Sequence, residues 1–184
     1  MAVHIALHEV GVPFEGRPMS FKSGDLKTAA FHNINPEGKV PTLLIDGRPL
    51  TEVAGCLFYL ARRYREANLL PQDYEAQARA VSWMSFIAST LHPARPKGLQ
   101  HVKQVWSVAQ QRLGDSKGDG DWVLGGYSIA DIHLFRLWWR IAGSLKPERA
   151  EFPRLYAHYD RMMARPAVQR TIEIEAKIGY ELPA

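Results

Sequence analysis

The segment Asn35-Pro36-Glu37-Gly38-Lys39-Val40-Pro41 runs directly into Thr42-Leu43-Leu44-Ile45, then Asp46-Gly47, then Arg48-Pro49-Leu50-Thr51, and no other stretch of the chain restricts the fold as tightly. Asp-Gly tolerates positive φ at both positions, the condition for a two-residue turn whose twist matches its strands. The spacing therefore predicts a hairpin of 42–45 against 48–51. A helix follows, because Val53, Leu57, Leu60, Ala61 and Tyr64 recur at helical intervals from Glu52 onward. Only X–Pro bonds adopt the cis form with any frequency, which makes Val40-Pro41 a candidate for it. Glu52 and the Val53 backbone fall at a helix N-terminus, where free N–H groups and the helix dipole favour a carboxylate. Taken singly, each has a plainer reading: Val40-Pro41 enters a strand, and Glu52 is a first-turn acid that stabilises its own helix.

Upstream, Val3, Ala6, Leu7 and Val10 share one helical face, and Gly11 before Val12-Pro13 supplies a stop. Phe14 to Phe21 alternates loosely and is expected to form a strand, with a turn at Ser23-Gly24-Asp25. Asn68-Leu69-Leu70-Pro71 breaks the pattern, and a domain boundary is expected near 65–72. The first domain is then 1–66, α/β, and the second is 72–184, all helical.

In the second domain, periodicity returns at Val81, Met84, Ala88 and Leu91, is interrupted by Pro93, Pro96 and Gly98, and resumes from Gln100 to Leu113. Gly114 to Asp121 reads as a loop. Ser128-Ile129-Ala130-Asp131 fits a capping box, and the nearly all-apolar run from Ile129 to Ile141 should be a buried central helix. Two further helices are expected, from Phe152 to Ala164 and from Pro166 onward. Trp83, Trp138 and Trp139 are assigned to core or interface.

Taken in order, these segments resemble the glutathione S-transferase family, and its bacterial beta class most of all, over nearly the whole chain. The resemblance rests on the Asn-Pro-x-Gly-x-Val-Pro motif, Leu50-Thr51-Glu52, Trp83 to His92, Ser128 to Phe135 and Met163 to Gln169. It implies a thioredoxin-like N-terminal domain, an all-α C-terminal domain, glutathione as co-substrate, no metal, and a homodimer. It also implies that glutathione lies along Lys39, Val40 and the cis proline Pro41, with Glu52 and Val53 at the γ-glutamyl end. His92 matches a histidine near the glutathione thiol. The chain departs from the pattern at Val53, where serine is frequent, at Pro93, where lysine is frequent, and at Ser85, where an asparagine is expected. The largest departure is at the start. The helix from Ala2 to Val10 resembles the family's first helix, so the first strand and the loop with the catalytic Cys, Ser or Tyr have no counterpart in this sequence. Either the recorded start lies downstream of the true one, or the N-terminal half has been rebuilt. Two functions follow: conjugation of glutathione to small hydrophobic electrophiles, with weak activity, as in detoxification; or a non-catalytic binding or interaction protein on the same fold.

Composition removes other classes. A net charge of +4 and a pI near 9.3 could mark an anionic partner, but Lys and Arg are scattered and the densest pair, Arg62-Arg63, lies in a solvated helical stretch. No nucleic-acid partner is expected. The single cysteine, Cys56, allows no internal disulfide and reads as a small buried hydrophobe. With no leader-like start or membrane-length apolar run, a cytoplasmic location and no membrane association are expected. His4 and His8 are four apart on one helix face, a chelating spacing, but the sequence places no third ligand beside them.

Overall fold

The computed structural model describes residues 1–114 and 122–180. Helix α1 (Ala2–Val10) buries Val3, Ile5, Ala6 and Leu7. It ends at Gly11, whose φ of 69° suits glycine and whose N–H returns to the Leu7 carbonyl at 3.1 Å. The short helix α2 (Ala29–His32) is capped by the Thr28 hydroxyl, which accepts from Phe31 N at 3.2 Å. Strands β1 (Thr42–Ile45) and β2 (Arg48–Thr51) form the expected hairpin, with Thr42 opposite Thr51 and Ile45 opposite Arg48. Asp46 and Gly47 both have positive φ, 50° and 79°, as the turn requires. Helix α3 (Val53–Arg63) packs Cys56, Leu57, Leu60 and Ala61 inward, against α1.

The strand expected over 14–21 does not form; these residues carry no strand pairing, and among the described residues the sheet holds only β1 and β2. Alternating side chains cannot by themselves satisfy backbone groups, and Pro18 removes a donor from any ladder here. Instead the segment crosses α1, where the Phe14 ring meets His8 edge-on at 5.1 Å.

Helix α4 (Tyr74–Phe86) starts on the Asp73 side chain, which accepts from Ala76 N at 2.8 Å. It then widens into a π turn (Ile87–Leu91) and tightens into a 3₁₀ turn (His92–Lys97). Pro93 and Pro96 lack the N–H groups that an α-helix would use, so the expected interruption takes this form. Helices α5 (Leu99–Gly114), α6 (Ile129–Ser144), α7 (Pro153–Met163) and α8 (Pro166–Ile178) complete the domain. The loop expected from Gly114 to Asp121 lies outside the described residues, apart from Gly114 itself, the last residue of α5.

Helix α6 is the buried centre. The capping box is present: Asp131 accepts from Ser128 N at 2.9 Å, and the Ser128 hydroxyl accepts from Ala130 N at 3.3 Å. The other oxygen of Asp131 takes Val123 N at 2.8 Å and His158 Nε2 at 3.0 Å, tying the entry of α6 to α7. One core cluster lies within the helical domain around Trp106, Leu134 and Trp138. A second runs through both halves of the chain, with Ile5, Leu57 and Leu60 meeting Ile129, Ile132 and Phe135. Each such side chain contributes roughly 1.5–3 kcal/mol when fully buried, so the halves are joined by a dry interface rather than a linker alone.

Candidate functional site

The Val40–Pro41 peptide is cis. The loop that delivers it is built from Asn35, which is 1% exposed. Its amide nitrogen donates to the Lys39 carbonyl at 2.8 Å and to the Thr42 hydroxyl at 3.1 Å, and its oxygen accepts from Glu37 N at 3.0 Å. Gly38 is required for a different reason: φ is +62°, and a Cβ there would lie 3.0 Å from His32 Nε2 and 3.1 Å from the Leu26 carbonyl. With Lys39 O held inward, Val40 turns outward and is 43% exposed. Among the described residues, neither its N–H nor its C=O has a hydrogen-bond partner. That is an open backbone edge of the kind a peptide can extend.

The hairpin register brings the second half of the site alongside. Thr42 pairs with Thr51, so Pro41 and Glu52 are the next residues on the two chains at that end, followed by Val40 and Val53. Glu52 is exposed and sits at φ 62°, ψ 130° just before α3, and no side chain caps that helix. A non-glycine residue at positive φ costs of the order of 1–3 kcal/mol, and such outliers gather where backbone must face a ligand. The free N–H groups of the first turn of α3 point the same way and favour a carboxylate. The Lys39 side chain stays at the surface, 3.7 Å from Glu37.

His92 begins the 3₁₀ turn after α4. Partial burial, then the charges of Arg136 and Arg140, hold its imidazole below the usual histidine value, against a smaller upward pull from Glu52. That pull places Glu52 and His92, forty residues apart in sequence, within electrostatic reach of each other. Val40 opens onto a cleft of about 880 Å³ between the two halves of the chain, walled also by His8, Phe14, Phe21, Ile174 and Tyr180. Ser85 is at the surface of α4.

The other candidates fall elsewhere. Cys56 is fully buried, its sulfur donates to the Leu50 carbonyl at 3.4 Å, and burial pushes its thiol up to about 11, which suits a packing role. His4 Nδ1 faces Glu175 at 2.7 Å and His8 lies against Phe14. Among the described residues no group of three or more His, Cys, Asp or Glu is arranged to hold a metal. Trp83 and Trp138 are buried, as expected of core residues. Sequence reasoning missed the bracing role of Asn35 and the pair Arg136 and Arg140. The latter carried a signal: two arginines four apart in a helix otherwise nearly all apolar.

A small α/β half with a cis-proline edge, packed on a helical half whose central helix begins with a buried capping box, defines a thioredoxin-like domain joined to a helical domain in the glutathione-transferase manner. Residues 1–63 match the glutathione S-transferase N-terminal domain and residues 71–166 the C-terminal domain, so the chain belongs to the glutathione S-transferase family. It is 30% identical over 194 residues to the glutathione S-transferase GstA of Escherichia coli O157:H7, covering 95% of this chain and 93% of that protein. Among solved structures it resembles a glutathione transferase homolog from Sulfitobacter with bound glutathione, with a TM-score of 0.80, 29% identity, and coverage of 94% and 91%. A sphingomonad glutathione S-transferase complexed with glutathione superposes with a TM-score of 0.81 at 28% identity, covering 95% of this chain and 93% of that one.

Proposed function

We propose that this protein binds glutathione along Lys39, Val40 and Pro41, with Glu52 and Val53 receiving the γ-glutamyl end, and conjugates its thiol to small hydrophobic electrophiles. The observation that carries the reading is Val40. Its peptide groups are exposed and, among the described residues, unpaired beside a cis proline, directly alongside the acidic residue and uncapped helix that would receive an amino acid's ammonium and carboxylate groups. Relatives that superpose on this chain were solved with glutathione bound, which supports the same ligand here.

In the reaction the thiol proton passes to a base, the thiolate sulfur forms a bond to the electrophilic carbon, and a leaving group such as chloride departs with its electron pair. His92, neutral at pH 7 because its pKa is lowered, is the group offered as base. The nearby charges of Arg136 and Arg140 would favour thiolate over thiol. The protein is read as a cytoplasmic homodimer acting in detoxification, with residues 1–66 as the glutathione domain, 72–184 as the helical domain, and no nucleic-acid partner.

Isothermal titration with glutathione, beside a conjugation assay with 1-chloro-2,4-dinitrobenzene, tests this. Saturable binding that Glu52→Ala abolishes, and turnover that His92→Ala removes, are expected. Binding without turnover would leave a glutathione-binding protein in place of the enzyme, and no binding by the folded chain would overturn the reading.

A further inference from the structure

The helical domain holds a second pocket of about 140 Å³, lined by His92, Arg95, Trp106, Arg136, Leu137 and Arg140. Its walls differ sharply. Trp106, Leu137 and the adjoining Ile141 are buried apolar surface. Arg95, Arg136 and Arg140 face the same space from two separate elements, and among the described residues none of them has an ion-pair partner. Arg136 Nη1, Arg140 Nε and Trp106 Nε1 are buried donors that make no hydrogen bond within the described residues. Arg95 Nε reaches the Ser144 hydroxyl at a long 3.4 Å. The acidic group that bears on Arg136 is Glu175, and its carboxylate is already engaged by His4 at 2.7 Å.

The three arginines are half-buried, so their charge is partly stripped of water without a partner to replace it, and three guanidinium groups sharing one pocket add mutual repulsion. Burial, then Arg136 and Arg95, bring Arg140 down to about 10, which still leaves it protonated at neutral pH. The pocket therefore lacks a negative charge and hydrogen-bond acceptors. A planar carboxylate meets both needs, since guanidinium groups hold it through paired N–H···O bonds. A cavity of about 150 Å³ admits one benzene ring, so this pocket holds the carboxylate and the near edge of a single ring against Trp106 and Leu137, with the rest of the ring projecting from its mouth.

We infer that this pocket takes the carboxylate of a small aromatic acid, which serves as the second substrate beside glutathione. The inference rests on the proposed function and specifies its electrophile as anionic. His92 lines the same pocket, so an acid anchored on Arg95 and Arg140 would present its far end beside the histidine offered as base.

The test is isothermal titration of the full chain with 4-nitrobenzoate and with its neutral counterpart 4-nitrobenzamide, each with and without saturating S-methylglutathione. Benzoate is expected to bind roughly tenfold to a hundredfold more tightly than the amide, the size of a charged hydrogen-bonded pair. Arg140→Gln should erase most of that preference. Arg95→Gln, on the facing turn, should reduce it independently should the first variant fold poorly. Equal affinity for acid and amide, or a preference unchanged in both variants, would overturn the assignment. So would displacement of benzoate by S-methylglutathione, because the pocket would then belong to glutathione's own carboxylate. If S-methylglutathione does not bind while benzoate is still preferred, the glutathione reading fails and the anion pocket stands.

Discussion

Arg165, just before α8, closes a two-pronged ion pair on Glu9 of α1: Nε meets Oε1 at 2.7 Å and Nη2 meets Oε2 at 3.0 Å. The same guanidinium lies 3.4 Å from the centre of the Tyr127 ring, and the Tyr127 hydroxyl donates to Glu9 at 2.9 Å. The two halves of the chain are thus locked by charge beside their shared apolar core.

Truncating Arg165 to alanine leaves the half-buried Glu9 carboxylate with Tyr127 as its one remaining partner among the described residues. A loss of about 2–4 kcal/mol is expected, read as a lower urea midpoint. A double change of Glu9→Gln and Arg165→Met should be milder than Arg165→Ala alone, because it strands no charge. A loss below about 0.5 kcal/mol for the single variant would mean that the pair is a screened surface contact.

Asp131 is fully buried and accepts from Ser128, Val123 and His158 together. Asp131→Ala removes the cap of α6 and orphans those donors in one step. It should lower stability by roughly 3–5 kcal/mol, seen in the thermal midpoint. A drop of only a cap's worth, about 1 kcal/mol, would show that water replaces the lost partners.

His133 is pulled down to about 3, by burial first and then by His92 and Arg136. It therefore stays neutral in the fold while the unfolded chain takes up a proton below about pH 6.5. The stability it preserves is present above that pH and is lost as pH falls toward 3, at about 1.4 kcal/mol per pH unit. Unfolding free energies from urea titrations at pH 7 and pH 5 should differ by about 2 kcal/mol from this group, and His133→Asn should flatten the dependence. An unchanged slope in that variant would assign the acid sensitivity to other groups.

Cys56, with its thiol raised to about 11, should be nearly inert toward a disulfide reagent at pH 8. The thiolate fraction there is about one in a thousand, and the sulfur is enclosed. Rapid labelling in 6 M urea and slow labelling in buffer are expected. Fast reaction of the folded chain would mean that α3 opens readily.

Much of the architecture was legible from local chemistry. Asp46-Gly47 specified a hairpin because both residues tolerate positive φ, Ser128 and Asp131 specified a helix start, and the spacing of Val53, Leu57 and Leu60 specified a helix. The motif ending in Val40-Pro41 marked a candidate cis proline, and its resemblance to the family implied a ligand along it. Each of these signals acts over a few residues, within the span of one hydrogen-bonded turn or one strand pair. Where the outcome depended on partners far along the chain, local reading stopped. Residues 14–21 alternate like a strand, yet a strand exists only if another chain segment satisfies its backbone. The widening of α4 into a π turn, the meeting of Glu9 with Arg165, and the convergence of Arg95, Arg136 and Arg140 on one pocket arise from how helices pack. Periodicity states which face of a helix is apolar, but only the packed core decides what that face, and the charges beside it, will meet.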